Sequence, residues 1–130
     1  MQFNESDYRW THRLLYLFAP DAEHPDFLAQ RQMIDHRDRG FLERDLLLVQ
    51  VLDEGESLLG VEELDPGAAD ALRARHDIDP DRFVLVLVGK DGSEKARSSE
   101  PVPMADIFEQ IDQMPMRLRE IEQRNGRRRY

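Results

Sequence analysis

The chain has 130 residues, no cysteine and a formal net charge of -9. This length fits one domain with its own core, and an apolar content of 40% is typical of a folded chain rather than a disordered one. The absence of cysteine excludes disulfides, a thiolate nucleophile and cysteine-ligated zinc, and the acidic surface disfavours nucleic-acid binding.

The first half of the chain predicts a strand, a helix and a second strand. Residues 14–18 are short and apolar, and a Pro-containing turn follows them. Residues 24–39 carry apolar side chains at helical spacing, and Gly40 follows as a terminator. Residues 44–52 have a nearly continuous apolar centre, which is typical of a strand covered on both faces.

The second half predicts a helix, two strands and a final helix. Asp65 and Pro66 suit the start of a helix through about residue 76. Residues 83–90 predict the third strand, and a Gly-Lys-Asp-Gly turn leads to a weaker fourth at 95–98. Pro103 begins a helix that Pro115 interrupts, so residues 116–124 are expected to form a separate or kinked turn of helix. The pattern is βαβαββα, an α/β order of the thioredoxin-like kind, with a central mixed four-stranded sheet flanked by helices.

The chain is expected to form one domain over residues 8–124, followed by an Arg-rich tail at 125–130 that we expect to be disordered. No apolar run approaches the ~18 residues that span a membrane. The first residues are acidic and do not show the basic segment followed by an apolar segment that a signal peptide has. We therefore expect a soluble cytoplasmic protein that contacts neither membrane nor nucleic acid.

Metal and cofactor motifs are not found in the sequence. The four histidines are scattered, and no pair has the spacing of a zinc site. Asp35, His36 and Asp38 could bind a divalent ion weakly, but a solvated surface is the preferred interpretation. An aspartate series at residues 77–81 lacks the glycine and the glutamate of a calcium loop. We predict no metal and no cofactor.

Three charged residues, Glu43, Arg44 and Asp45, lie at the start of the buried second strand. Charges are tolerated there only when they are paired or reach the surface. The preferred interpretation is that Arg44 and Asp45 pair with charges on neighbouring strand ends. The alternative is that they line a site.

Four segments together resemble the peroxiredoxin-like domain of unknown function 4174 family over about residues 8–120. They are residues 16–19, Glu43-Arg44-Asp45-Leu46, Val88-Gly89-Lys90-Asp91-Gly92 and Ile111-Asp112-Gln113-Met114-Pro115-Met116-Arg117. The resemblance implies a thioredoxin-like fold with no assigned activity. The family occurs in small bacterial proteins, many of which look exported, and inside some extracellular vertebrate matrix proteins.

The chain departs from true peroxiredoxins in the loop after the first strand. Residues 19–25 stand where the redox cysteines would be, and they contain none. Peroxide reduction requires a low-pKa thiolate at that place. Thiol redox chemistry is therefore excluded for this chain.

A thioredoxin-like strand order would bring the distinctive motifs together at the end of the sheet opposite that loop. The first two strands would start there, the 89–92 turn would lie there, and the last helix would end there. The candidate binding residues are Arg13, Arg44, Asp45, Lys90, Asp91 and Arg117.

Two functions of different classes remain open. The first is a non-enzymatic binding or scaffold module whose charged end grips an unknown protein or an acidic peptide. The second is an enzyme that uses Glu43, Asp45 or Asp91 for acid–base chemistry in a pocket. The charges could also simply fasten the strand ends to the final helix, without any ligand.

Overall fold

A computed structural model describes residues 1–128 of the chain, in which a mixed β-sheet has helices packed on both faces. A 3-10 turn at Glu5–Tyr8 precedes the first strand. The elements that follow are β1 (Arg13–Ala19), α1 (Pro25–Ile34), α2 (Asp38–Glu43), β2 (Leu46–Leu52), β3 (Leu58–Leu59), β4 (Glu62–Glu63), α3 (Ala68–His76), β5 (Val84–Val88), β6 (Glu94–Ser98), α4 (Met104–Asp112) and α5 (Pro115–Arg128).

The strand order is β4-β3-β2-β1-β5-β6. Strands β1 and β2 are parallel, with Arg13 opposite Leu46, and β5 runs antiparallel to β1. The predicted α/β, thioredoxin-like architecture is confirmed. The sheet has six strands rather than four, because β3 and β4 extend it beyond β2 as a small hairpin. Each of these strands has only two residues, so an alternation of apolar and polar side chains could not predict them from the sequence.

The central strand β1 is buried along its whole length, and its side chains alternate between two cores. Leu15 and Leu17 pack on the face that α1 and α4 cover. Tyr16 and Phe18 point to the opposite face, which α3 covers. Burial on both faces explains why the strand is continuously apolar in sequence.

Two helices begin or end away from their predicted positions, for backbone reasons. The helix predicted over 24–39 is divided into α1 and α2, because His36 has a φ of 65° and cannot continue a helix. Helix α3 begins at Ala68 rather than at Pro66, and its N-cap residue is Gly67 rather than Asp65, because Gly67 has a φ of 89°.

Helix α5 is longer than predicted. Pro115 occupies its first position, where the missing N–H costs nothing. The helix runs through Arg128, so residues 125–128 are helical rather than part of the predicted disordered tail. Residues 129–130 of that tail lie outside the described residues.

Candidate functional site

Strand direction brings four segments to one end of the sheet. Because β1 and β2 are parallel, their first residues lie at this end. Strand β5 is antiparallel to β1, so its last residue lies there too. The end of α4 and the start of α5 lie against the same end, through contacts of Asp112 and Arg117 described below. The loop at residues 19–25, which follows β1, lies at the other end.

Glu120 on α5 joins two buried cations. The two terminal nitrogens of Arg13 donate to its carboxylate at 3.2 and 3.1 Å, a bidentate arrangement. Lys90 Nζ donates to Glu120 Oε2 at 2.9 Å and to Asp45 Oδ2 at 2.9 Å. The side chains of Arg13 and Lys90 are only 1% and 8% exposed. Their charges are therefore balanced within the fold, as buried charges must be.

Asp112 on α4 joins two further arginines. Arg44 donates to it from Nε at 3.0 Å and from a terminal nitrogen at 2.9 Å. Arg117 Nε donates to the same carboxylate at 3.0 Å. Arg44 also lies over the ring of Phe108, 4.3 Å from its centroid, and donates to the carbonyl of Gly40 at 3.0 Å. These bonds tie β2, α4 and α5 together.

We call these seven side chains the charge cluster: Arg13, Arg44, Asp45, Lys90, Asp112, Arg117 and Glu120. Five of the six residues predicted as a binding site belong to it. Asp91 does not, since it accepts from Ser93 and pairs with Lys95 at 3.0 Å on the neighbouring hairpin. Asp45 pairs with Lys90 just after β5, as the preferred interpretation predicted, whereas Arg44 pairs with Asp112 at the end of helix α4 rather than with a strand end.

Sequence reasoning missed both carboxylates at the centre of the cluster. Asp112 belongs to the 111–117 segment that carries the family resemblance, but nothing in that segment predicts that it pairs with Arg44. Glu120 lies three residues after Arg117 on the same face of α5. That spacing, together with the number of cations predicted at this end of the sheet, could have indicated Glu120 as their partner.

Three carboxylates at this end, those of Asp91, Asp112 and Glu120, have a lowered pKa. Burial opposes ionisation of Asp112, but hydrogen bonds from Arg44 and Arg117 outweigh it and lower the pKa of Asp112. Hydrogen bonds from Arg13 and Lys90 likewise outweigh burial and lower the pKa of Glu120. The backbone N–H of Ser93, with Lys95, lowers the pKa of Asp91 to about 2.

An open groove of about 300 Å³ lies beside the charge cluster, and we call it the Trp10 groove. Apolar lining comes from Trp10, Met114, Pro115 and Met116, and charged lining comes from Arg13, Lys90, Asp91, Lys95 and Arg119. Trp10 is 61% exposed. Its backbone is in the left-handed region, with a φ of 72°, and its N–H donates to the carbonyl of Lys90 at 2.6 Å. The fold thus holds a large apolar side chain at the surface.

The opposite end of the sheet has a simpler structure. The loop after β1 leads into α1, where His24 Nδ1 accepts the backbone N–H of Asp26 at 3.2 Å and caps the helix. The place that holds a redox cysteine in peroxiredoxins is therefore occupied here by a capped helix start without a thiol.

A second polar cluster, which no sequence pattern predicts, lies on the α3 face, where Glu5, Tyr16 and His76 are buried and Arg75 is half-exposed. Glu5 accepts from Tyr16 Oη at 2.5 Å and from Arg75 Nε at 2.6 Å, and it lies 2.7 Å from His76 Nε2. Burial opposes ionisation of Glu5, but these partners outweigh it and lower its pKa to about 2. Burial and the Glu5 carboxylate raise the pKa of Tyr16, which stays protonated.

Within residues 1–128, no three acidic or histidine side chains are grouped so that they could hold a metal ion. None of the helices in that range combines the length and the apolar content needed to cross a membrane.

Curated relatives match this chain over a part of their length. The Sushi repeat-containing protein SRPX2 of Homo sapiens is 26% identical over 119 residues, which cover 89% of this chain and 26% of the relative. The same protein of Mus musculus is 26% identical over 115 residues, 86% of this chain and 25% of the relative. The chain thus spans about a quarter of these relatives.

Solved structures of peroxiredoxins share the fold. A reduced 2-Cys peroxiredoxin of Plasmodium vivax superposes with a TM-score of 0.63 at 12% identity, covering 82% of this chain and 79% of that one. Thioredoxin peroxidase I of Plasmodium yoelii gives a TM-score of 0.60 at 17% identity, covering 82% and 75%. At such identities the likeness concerns the fold alone.

A family model described as a domain of unknown function, DUF4174, matches residues 6–120. That range includes β1, the Gly-Lys-Asp-Gly turn and all seven residues of the charge cluster. This chain, with its thioredoxin-like fold and no cysteine, belongs to the DUF4174 family.

Proposed function

We propose that this domain is a non-enzymatic binding module and that the Trp10 groove is its site. The ligand that fits is an acidic segment of a partner protein that carries one bulky apolar side chain. The observation that carries this proposal is the exposed Trp10 indole, fixed beside a surface that supplies both apolar and cationic contacts.

The composition of the groove supports a ligand with both characters. Trp10, Met114 and Met116 offer flexible and aromatic apolar surface, of the kind enriched where proteins bind each other. Lys95 and Arg119 are exposed beside them, and Lys95 pairs at the surface with Asp91, a contact that an acidic ligand can share because it is open to water. Arg119 makes no ion pair with the side chains of residues 1–126. On a chain with a net charge of -9, such a local cationic surface selects acidic partners.

The charge cluster supports the groove rather than forming it. The cations Arg13, Lys90 and Arg117 are 8% exposed or less and are paired inside the protein. A ligand cannot use them without breaking those pairs. Their proposed role is to fix the turn after β5 and the start of α5, which form two walls of the groove.

The alternative, carboxylate acid–base catalysis, has less support. Asp91 lines the groove, but its pKa is about 2. A general acid or base works best when its pKa lies near the working pH. The absence of membrane and nucleic-acid partners and a cytoplasmic location remain predictions from sequence.

The test uses Trp10 fluorescence, because Trp10 is the single tryptophan of the chain. The probe is a capped pentapeptide with a central phenylalanine flanked by two glutamates on each side. We expect a saturable change in Trp10 emission with this probe. We expect little or none with a matched peptide that has lysines for glutamates, or glycine for phenylalanine.

The matched variants separate groove contacts from general charge effects. Lys95→Glu with Arg119→Glu should weaken the affinity at least tenfold, which corresponds to about 1.4 kcal/mol. Arg82→Glu changes an exposed cation at the opposite end of the sheet, before β5, and should leave the affinity within about twofold. Equal weakening by both, or no preference for the acidic phenylalanine peptide, would contradict the proposal.

A further inference from the structure

Half of strand β2 lacks a partner strand on its outer side. Strand β3 pairs only with Val49 and Gln50. Within the described residues, the Leu46–Leu48 half is paired with β1 alone, apart from one hydrogen bond of 2.9 Å from the Gly60 N–H to the Leu48 carbonyl. This half of β2 is therefore an open edge of the sheet. Proteins usually cover such an edge or place charged side chains along it.

A hollow of about 730 Å³ lies along that edge, lined largely by the apolar side chains of Ile34, Phe41, Leu46, Leu47 and Leu48. Two apolar side chains stand at its margins. Val61 is 93% exposed and Leu42 is 79% exposed, the two highest values for large apolar residues in the described chain. Exposed apolar side chains beside an apolar hollow form a contiguous patch of the kind that marks an interaction site.

We propose that this surface, which we call the β2 edge, joins two copies of the chain about a two-fold axis. Such an interface must be complementary to itself, since the same surface meets its own copy. The β2 edge offers both protruding side chains, Leu42 and Val61, and a hollow that can receive them. It also carries charges of both signs, from Arg31, Asp35 and Asp38.

Electrostatic repulsion between two copies depends on which surfaces meet. Two acidic copies repel each other over most of their surface. An apolar surface with mixed charges, such as the β2 edge, is where that repulsion is least. The β2 edge shares no lining residue with the Trp10 groove. A dimer would therefore present two free grooves and bind a partner with repeated acidic segments more tightly than one copy does.

Sedimentation equilibrium of the full chain tests this inference. We expect a reversible monomer–dimer equilibrium that is strengthened by added salt, because salt screens the repulsion between acidic copies. Leu42→Glu with Val61→Glu should raise the dimer dissociation constant at least tenfold. Both side chains are exposed, so the variant should remain folded, which circular dichroism verifies.

Leu118→Glu is the matched control, because Leu118 is a 52% exposed leucine on α5 and lines neither the β2 edge nor the Trp10 groove. It should leave the dissociation constant unchanged. A wild-type chain that stays monomeric up to about 1 mM would overturn the inference, because such an association would be weaker than about 4 kcal/mol. Equal weakening by the control and by the double variant would overturn it as well. Neither result bears on peptide binding at Trp10, which the monomer can perform.

Discussion

Arg44 makes three kinds of contact at once: a two-nitrogen contact with Asp112, a hydrogen bond to the Gly40 carbonyl and a stacked contact with Phe108. Its side chain is 13% exposed, so these contacts are poorly accessible to water. Arg44 thus links the start of β2 to α4. A lysine could not reproduce it, because an ammonium lacks the planar two-nitrogen geometry.

We predict that Arg44→Ala lowers the free energy of unfolding by about 2 to 3 kcal/mol at neutral pH, because it removes the ion pair with Asp112, the hydrogen bond to the Gly40 carbonyl and the contact with Phe108 together. Urea denaturation measures the change. Arg44→Lys should lose an intermediate amount.

Arg39→Ala is the control, since Arg39 is an exposed arginine on the neighbouring helix α2. Its loss should stay within about 0.5 kcal/mol. If Arg44→Ala fell within the same range, the side chain would be structurally idle, and the fastening role would be wrong.

At the scale of elements, helix α5 is attached to the sheet by Arg117 and Glu120, one turn apart near its start. Arg117 donates to Asp112 and to the Glu43 carbonyl, and Glu120 holds Arg13 and Lys90. These contacts place Met114, Pro115 and Met116, which line the Trp10 groove, against the hairpin between β5 and β6.

We predict that Glu120→Gln loosens the attachment of α5, because the neutral amide leaves Arg13 and Lys90 with too little negative charge. The unfolding free energy should fall by about 2 kcal/mol or more. Amide hydrogen exchange along α5 should become faster. Glu122→Gln, an exposed position on the same helix, should change neither quantity. Equal effects of the two substitutions would contradict the attachment.

The elements also show what the sequence could reveal. The apolar runs in β1, β2 and β5 were predictable, because burial on both faces requires apolar side chains throughout. The division of the first helix at His36 was not, since a left-handed residue has no clear sequence signal there. Asp112 and Glu120 look like ordinary exposed helix residues until the tertiary fold brings cations to them. The groove was missed for the same reason, although Trp10, Met114 and Met116 were all visible.

At the scale of the whole molecule, carboxylates whose pKa is lowered in the folded state make stability depend on pH. Glu5 has a pKa of about 2 in the folded domain against an ordinary value of 4.5. A carboxylate with a lowered folded pKa stabilises the fold above its unfolded pKa, and that contribution is lost as the pH falls toward the folded pKa. The pKa values of Asp112 and Glu120 are lowered in the same direction.

We therefore predict that the unfolding free energy decreases as the pH is lowered from about 5 to about 2. Glu5→Gln should be less stable at neutral pH and should show a shallower decrease, because the amide does not titrate. Urea denaturation at a series of pH values measures both slopes. Parallel curves for the parent and the variant would mean that Glu5 does not contribute to the acid dependence.

The molecule as a whole combines a peroxiredoxin-like frame without a thiol, a charge cluster that fastens one end of the sheet, and an exposed groove beside that cluster. We propose that ligands bind at this end of the sheet and not at the loop where peroxiredoxins hold their cysteines.

Nuclear magnetic resonance of the isotope-labelled chain, titrated with the acidic phenylalanine peptide, tests that claim most directly. We predict shifts of the Trp10 indole N–H and of the methyl groups of Met114 and Met116, with residues 19–25 unchanged. Shifts confined to residues 19–25, or no shift at a saturating concentration of the peptide, would contradict the account.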